Sequence, residues 1–308
     1  LYAAVFDEYL HSVFTHGYSS EYFVEGGRSR TGRTLSPKAG MLAMTVRSYL
    51  RDSKKPMVFV PVYTGYEKVF EEKSYLGELR GKAKKKESLL DVLGTLRSFK
   101  KSFGKVNVTF GEPIHLSPYL EERHPGWSNQ DYEACNYRPD WAPELVDELA
   151  TTVVTEINRA ASVNPINLIA LAILASPRQA MDENQLMRHM EAYRDLLAMV
   201  PYSDMTVLPD GHASDWLAHA EELGCVSRSS HDMGDLIQTN ERQAVTLTYY
   251  RNNVLHIIAL PSLIACLLLN NRRCTQADIL ESCQALYPFL KAELFLHWTE
   301  DTLEEAIN

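Results

Sequence analysis

The sequence predicts an α/β domain followed by an all-helical domain. Short runs of β-favouring residues at 22–24, 57–60 and 106–110 alternate with segments of helical composition. Alternation of this kind is typical of a mostly parallel sheet that helices cover on both faces. After residue 144, strand signals become scarce and helical periodicity dominates. We therefore expect residues 1–125 to form the α/β part, residues 126–143 a linker rich in Pro, Trp and Asn, and residues 144–308 the helical domain.

In the α/β part, each predicted element ends at a residue that breaks it. Residues 1–10 have apolar side chains at helical spacing and are followed by Gly17. The strand at 22–24 is stopped by a glycine pair, residues 41–50 have helical composition, and Pro61 stops the strand at 57–60. The run at 106–110 alternates in polarity, and we expect it to be the last strand of the sheet.

Six helices and one small hairpin are predicted in the second region. Several of the helices begin after Asp, Ser or Thr, which are common starting residues. The helices are residues 145–160, 165–175, 182–199, 214–223, 242–269 and 275–290, and the hairpin lies around 226–239.

The most apolar segment, residues 254–269, includes His256 and Pro261. A membrane-spanning helix needs about 20 largely apolar residues, so this run is too short and too interrupted to predict one. It is either a buried core helix or a surface that dips into a membrane, and residues 166–174 present the same choice. In a core helix, His256 is a buried side chain with a partner rather than a ligand.

The net charge of −9 conceals an asymmetry. Residues 26–105 hold 19 Lys/Arg and 7 Asp/Glu, so this stretch carries +12 and the remainder carries −21. The basic stretch has few aromatic residues and no recognition-helix pattern, which favours a phosphorylated substrate and an anionic lipid surface over nucleic acid. Five cysteines without a CxxC spacing argue against a disulfide framework or a zinc site and fit a reducing cytoplasm.

Basic residues are concentrated in the loop after the first predicted strand. Arg28, Arg30, Arg33 and Lys38 lie within a segment that contains no Asp or Glu. Ligands of open α/β sheets bind beyond the carboxyl ends of the strands, and Arg side chains can hold phosphate oxygens in pairs. The loop is therefore either an anion site or a solvated basic loop.

Three further residues and a helix bear on this choice. Gly26 and Gly27 would let the main chain approach a ligand without an obstructing Cβ. Glu25 either holds one of the arginines in place or accepts a hydrogen bond from a polar substrate. The helix at 41–50 would add free N–H groups on the same side.

The third sequence block of the glycerol-3-phosphate acyltransferases resembles residues 23–30, FVEGGRSR, followed by Pro37, Lys38 and Gly40. The fourth block resembles VFVPVY at 58–63 with GYE at 65–67. Bacterial membrane-bound members are also similar to the chain elsewhere, so that the resemblance covers essentially all 308 residues: ELRG at 78–81, FGEP at 110–113, YYRNN at 249–253 and KAELFL at 291–296.

The resemblance implies the distal half of a glycerolipid-acyltransferase α/β domain. The family moves a fatty acyl group from acyl-CoA or acyl carrier protein to the sn-1 hydroxyl of glycerol 3-phosphate, giving lysophosphatidate, the first step of phospholipid synthesis. It implies no metal, other cofactor or covalent acyl-enzyme, and peripheral attachment to the cytoplasmic face of the inner membrane. The residues that it implies for glycerol 3-phosphate are Glu25, Gly26, Gly27, Arg28, Ser29, Arg30 and Lys38, while Pro61 shapes the fourth block.

Two blocks of the family are missing. In the family a His-x4-Asp block takes the proton from the substrate hydroxyl, and none of the ten histidines here has Asp five residues on. The second block, with its substrate-binding Arg, is also missing. We therefore expect the chain to be the carboxyl-terminal portion of a longer enzyme and to be inactive alone. The alternatives are a non-catalytic module that binds a membrane or partner protein, and a related lysophosphatidate or dihydroxyacetone-phosphate acyltransferase.

The densest basic run is GKAKKKE at 81–87, which contains Lys82, Lys84, Lys85 and Lys86. Such a run is either a solvated face or a contact with the anionic cytoplasmic leaflet, where each basic residue contributes roughly 1 kcal/mol.

Overall fold

The computed structural model describes residues 2–69, 104–132, 139–270 and 273–307. These residues fall into two compact units. The first comprises Leu1–Arg28, Thr34–Val62 and Phe110–Ala160, and the second comprises Ser29–Arg33, Tyr63–Thr109 and Ala161–Asn308. The predicted linker at 126–143 stays a prediction, because part of it lies outside the described residues.

Four helices provide most of the described part of the first unit. They are α1 (Tyr2–Thr15), α2 (Gly40–Arg51), α3 (Leu116–Arg123) and α4 (Ala142–Arg159). Helix α2 buries one face, which includes Leu42, Val46 and Tyr49, and it packs against both α1 and α4. Two ion pairs also join α1 to α2, Asp7 with Arg47 and Glu8 with Arg51. The helices predicted at 1–10, 41–50 and 145–160 are confirmed with shifted ends.

The described residues between α2 and α3 in the chain form four short strands: β1 (Val58–Phe59), β2 (Val62–Tyr66), β3 (Val106–Phe110) and β4 (Ile114–His115). β1 pairs with β4 in antiparallel register, Val58 opposite His115, and β2 pairs with β3. Pro61 separates β1 from β2, and Gly111 separates β3 from β4. The two breaks lie opposite each other, since the Gly111 N–H donates to the Pro61 carbonyl at 2.7 Å.

Two predictions for this region are wrong in the described residues. The mostly parallel sheet is absent there, and the alternation of exposed and half-buried residues along β3 is the pattern of an antiparallel strand rather than a fully buried parallel one. Residues 22–24 do not form a strand, because the Val24 and Phe23 carbonyls accept hydrogen bonds from the loop that follows them. Phe23 is 82% exposed, so only Val24 of this run is buried.

In the described residues of the second unit, seven helices surround a single core. They are α5 (Pro165–Ala175), α6 (Glu183–Met199), α7 (Ala213–Glu222), α8 (Glu241–Asn253), α9 (Leu255–Asn270), α10 (Gln276–Leu294) and α11 (Glu300–Ile307). Helix α5 lies at the centre, because every residue from Ile166 to Ile173 is buried and α6, α7 and α8 all pack on it. The core-helix interpretation of residues 166–174 is therefore confirmed.

A small antiparallel sheet completes the second unit. The predicted hairpin is confirmed as β6 (Ser227–Ser229) and β7 (Leu236–Gln238), and β5 (Ala180–Asp182) adds a third strand against β7. Met181 and Ile237 form a buried pair in this sheet.

The predicted helix at 242–269 is two helices. Helices α8 and α9 are bent by 87° relative to each other, and the break follows Asn252 and Asn253, which are poor helix formers. The first part of α9 is core, with His256, Ile257 and Leu260 buried, so the core interpretation of His256 is confirmed. Its far end is exposed, and Leu269 is 86% accessible.

Within the described residues, none of the helices taken singly has both the length and the apolar character needed to cross a membrane. The pair α8 and α9 meets that requirement only when the two bent helices are taken together.

Candidate functional site

Residues 25–38 form the third-block loop, and two hydrogen bonds within the first unit close its base. The Lys38 N–H donates to the Val24 carbonyl at 2.7 Å, and the Leu35 N–H donates to the Glu25 carboxylate at 2.9 Å. Glu25 is half-buried, and burial raises the pKa of its carboxyl while the Leu35 N–H partly opposes that rise. One oxygen of Glu25 therefore shapes the loop, a role that differs from both predicted ones.

The two glycines of the loop have different surroundings. Gly26 has φ +63°, and a Cβ there would lie 2.7 Å from Lys38 Cγ, so this position requires glycine for packing within the loop. A Cβ at Gly27 would meet nothing within 4 Å. The open approach for a ligand that the sequence predicts thus exists at Gly27 and not at Gly26.

The predicted phosphate ligands of the loop are mostly accessible. Arg28, Arg30 and Lys38 are exposed, and Ser29 is half-buried. Arg28 and Lys38 belong to the first unit, and Ser29 and Arg30 belong to the second. Arg28, Arg30 and Lys38 can each contact an anion from solvent, where Arg offers paired N–H donors and Lys a compact charge, whereas the Ser29 hydroxyl oxygen is buried.

The middle of the loop, Ser29–Arg33, packs within the second unit against helices α8 and α10. The Asn252 side-chain amide donates to the Thr31 carbonyl at 2.8 Å. The next residue, Gly32, is buried with φ +82°, and a Cβ there would overlap the Tyr249 carbonyl oxygen. Arg33 forms an ion pair with Glu293 at 2.9 Å. Arg33 is therefore neutralised by a residue from far along the chain and is a weaker candidate for an anion than its neighbours.

Buried polar contacts hold the end of α8 that faces this segment. The Tyr250 carbonyl accepts a hydrogen bond from the Asn167 side chain at 2.8 Å, and the Tyr250 hydroxyl accepts one from the Val69 N–H at 2.8 Å. Asn167 is itself part of the capping box that begins α5. The main chain around Tyr249 is thus fixed to the central helix of the unit.

The fourth block supplies a buried carboxylate as well as Pro61. Glu67 is 2% exposed, and its Oε2 accepts hydrogen bonds from the Lys105 N–H at 2.6 Å and from His219 Nε2 at 2.8 Å. A buried carboxylate needs such partners because its desolvation is costly. Pro61 lies in the first unit, where its carbonyl receives the Gly111 N–H, in keeping with its predicted shaping role.

Two histidines at the carboxyl end of α1 have local partners, and the predicted membrane-contact lysines lie elsewhere in the chain. His11 Nδ1 is bonded to Ser48 Oγ at 2.9 Å and His16 Nδ1 to the Ser12 carbonyl at 2.7 Å, so both have local structural partners. Lys82, Lys84, Lys85 and Lys86 lie outside the described residues.

Comparison with known families identifies the family to which the chain belongs. Residues 75–308 match the family described as the glycerol-3-phosphate acyltransferase C-terminal region. The chain belongs to this family. The matched range of the glycerol-3-phosphate acyltransferase family contains the 249–253 and 291–296 segments, which contact the loop middle, while the loop itself precedes residue 75.

Individual relatives extend the similarity to the loop. A protein of Pseudomonas paraeruginosa (strain DSM 24068 / PA7) named glycerol-3-phosphate acyltransferase is 50% identical over 308 residues, which is 100% of this chain and 37% of that protein. Proteins of the same name from Pseudomonas putida (strain GB-1) and Pseudomonas fluorescens (strain SBW25) are 50% and 48% identical over the same shares. The chain spans 37% of the length of these curated relatives.

The resemblance to the family identified residues 249–253 and 291–296 in the sequence but did not predict that they contact the loop. Asn252 and Glu293 lie in motifs that carry the family resemblance, but nothing local to them indicates contact with Thr31 or Arg33. The only signal was the concentration of amide side chains at 252–253, in a stretch of otherwise ordinary helical composition.

Proposed function

We propose that the protein containing this chain is an sn-glycerol-3-phosphate 1-O-acyltransferase. It transfers a fatty acyl group from acyl-CoA or acyl carrier protein to the sn-1 hydroxyl of glycerol 3-phosphate, giving lysophosphatidate. The observation that carries this proposal is the 50% identity over all 308 residues to proteins of that name, because it includes the loop that would bind the phosphate. On this proposal residues 1–125 are the distal part of the acyltransferase domain.

The loop chemistry supports the proposal at the level of substrate binding. Arg28, Ser29, Arg30 and Lys38 would bind the phosphate of glycerol 3-phosphate, because guanidinium and ammonium groups form short, charge-assisted bonds with phosphate oxygens. Gly27 leaves space for the ligand to approach the main chain. Glu25 acts through the loop's shape, since it receives the Leu35 N–H.

The reaction also needs a base that takes the proton of the attacking hydroxyl. The ten histidines of this chain lack the His-x4-Asp spacing, so we propose that the base belongs to another part of the intact protein. The hydroxyl oxygen then forms the ester bond, the carbon–sulfur bond of the thioester breaks, and the thiol leaves with a proton.

We further propose that the protein is peripherally attached to the cytoplasmic face of the inner membrane. Support comes from the basic run at 82–86 and from the exposed apolar end of α9, which includes Leu268 and Leu269. An enzyme whose product is a lipid gains from such a position.

The test is an acceptor comparison on the intact, purified protein in lipid vesicles. Thioester cleavage and the lipid product are measured with glycerol 3-phosphate, dihydroxyacetone phosphate and lysophosphatidate in parallel. We expect glycerol 3-phosphate to be the preferred acceptor and lysophosphatidate the product. Preference for another acceptor would point to the related acyltransferases, and no thioester cleavage with any acceptor would point to a non-catalytic module.

A further inference from the structure

The helical unit supplies three contacts to the middle of the third-block loop, and together they fix its main chain. They are the Asn252 amide on the Thr31 carbonyl, the Tyr249 carbonyl against Gly32, and Glu293 on Arg33. The first two involve main-chain atoms of the loop, so they fix its path whatever its side chains do. The third is an exposed ion pair, which contributes little energy.

Asn252 is the best placed of these residues. It is 9% exposed, and its side-chain amide is oriented from both ends. Arg251 donates to its Oδ1 at 3.2 Å, and its Nδ2 donates to the Thr31 carbonyl at 2.8 Å. A buried amide with both ends bonded has one orientation, and loss of its donor leaves the Thr31 carbonyl without the bond that holds it.

Gly32 provides the second restraint. Its φ of +82° is a conformation that glycine adopts at no steric cost, and its α-carbon lies directly against the Tyr249 carbonyl. Because Tyr250 is anchored to Asn167 and Val69, the surface against which Gly32 packs is rigid. Arg30 immediately precedes Thr31, so its main chain is restrained by the same contacts.

We propose that Asn252 is a positioning residue for glycerol 3-phosphate binding, acting through the Thr31 carbonyl on Arg30. This inference rests on the proposed function and deepens it, because it gives the helical unit a role in the substrate site. Asn252 does not touch the substrate. It holds the loop in the shape that presents Arg30 to the phosphate, and a site held in advance binds its ligand more tightly than one that must be ordered.

The first test is Asn252→Ala in the intact protein, with the steady-state KM measured for each substrate. We expect the KM for glycerol 3-phosphate to rise on the order of tenfold, with kcat and the thioester KM nearly unchanged. A merely structural role would instead lower the melting temperature and the active fraction while leaving the glycerol 3-phosphate KM at its parent value. That result would overturn the inference.

Two Gly→Ala variants separate the effect of displacing the loop on the KM from the effect of backbone strain. Gly32 and Gly224 have similar positive φ angles, +82° and +74°, but a Cβ at Gly224 would meet nothing within 4 Å. Both Gly→Ala variants therefore carry the strain of a positive φ, and only Gly32→Ala also displaces the loop. We expect Gly32→Ala alone to raise the glycerol 3-phosphate KM. Equal KM values in the two variants would contradict the inference.

Binding measurements distinguish failure of this inference from failure of the proposed function. Titration of inorganic phosphate into the intact parent and into Asn252→Ala reports on the loop without any turnover. If the parent does not acylate glycerol 3-phosphate but Asn252→Ala binds phosphate about tenfold more weakly, the proposed function fails and the positioning role stands. If the parent is active and the variant keeps parental phosphate affinity, the positioning role fails alone. A parent with neither activity nor phosphate binding overturns both.

Discussion

At the scale of single residues, the shape of the third-block loop depends on Glu25, whose carboxyl can be protonated or ionised. Its carboxylate receives the Leu35 N–H, and burial raises the pKa of the carboxyl above its ordinary value. When the pKa of a carboxyl is higher in the folded state than in the unfolded state, the protonated carboxyl stabilises the folded state at pH values below the unfolded-state pKa. This stabilisation is lost as the pH rises through the folded-state pKa. The ionised form at neutral pH is therefore the less favourable one for folding.

We accordingly expect Glu25→Gln to stabilise the chain at neutral pH. The Gln carbonyl can still accept the Leu35 N–H, and it carries no charge that must lose its hydration. Urea unfolding should give a higher midpoint for the variant at about pH 7, and the difference should disappear at about pH 3.5, below the ordinary carboxyl pKa. A variant less stable at neutral pH would show that the negative charge itself holds the loop.

Arg28 provides the residue-scale test of phosphate binding. In the intact protein Arg28→Ala should raise the KM for glycerol 3-phosphate about ten- to a hundredfold, because a charge-assisted bidentate contact is lost, with little change in the thioester KM. Arg123→Ala is the matched control, since Arg123 is paired with Glu122 on its own helix α3 and with Glu148 on α4, and its removal changes the net charge equally. Identical glycerol 3-phosphate kinetics in the two variants would remove Arg28 from the site.

At the scale of elements, local signals predicted most helices of the second unit but not α11, the break between α8 and α9, or the loop at 22–24. Helix α5 begins and ends where the sequence predicts, because Asn164 caps it, Pro165 starts it and an apolar run fills it. The break between α8 and α9 was missed, since no proline or glycine marks it in the sequence. The strand at 22–24 was wrong because residue preference cannot detect that the loop bonds to its own base.

The two capping boxes on α5 and α8 give an element-scale prediction. Asn164 is 4% exposed and accepts the Asn167 N–H at 3.0 Å, whereas Asn240 is exposed and accepts the Gln243 N–H at 2.9 Å. Asn164→Ala should lower the free energy of unfolding by about 1–2 kcal/mol, and Asn240→Ala by less than about 1 kcal/mol, because water can replace only the exposed cap. Chemical denaturation of both variants measures this, and an equal loss would mean that burial does not strengthen the cap.

At the scale of the whole molecule, the uneven charge predicts how the intact protein meets a membrane. Replacing Lys82, Lys84, Lys85 and Lys86 by Gln should weaken sedimentation with anionic vesicles, more at low salt than at high salt, and leave binding to neutral vesicles unchanged. The matched control replaces four lysines elsewhere, Lys54, Lys55, Lys105 and Lys291, so that the net charge falls equally. If the parent and the variant with four Lys→Gln substitutions bind anionic vesicles equally, the basic run is a solvated face and not a membrane contact.

The sequence predicted the residues of the candidate site only in part. The loop cations follow from local sequence, but Asn252 and Thr31 are 221 residues apart, and Glu67 and His219 are 152 residues apart. Side chains so distant are brought together by the packing of the helices, for which no local pattern exists. Arg33 is the clearest case, since its own segment contains no acid and its partner Glu293 lies on α10.

Calorimetric titration of glycerol 3-phosphate into the 308-residue chain tests the central claim most directly, namely that this chain carries the phosphate-binding part of an acyltransferase. We predict weak binding that requires the phosphate, so that glycerol gives no heat and a variant with Arg28, Arg30 and Lys38 replaced by Ala loses the response. A thioester assay on the same sample should show no turnover above background, because a positioned base contributes typically 10²–10⁴-fold and none of the histidines has the required spacing. A folded sample that gives no phosphate-dependent heat, or binding that survives in the triple variant, would contradict the account.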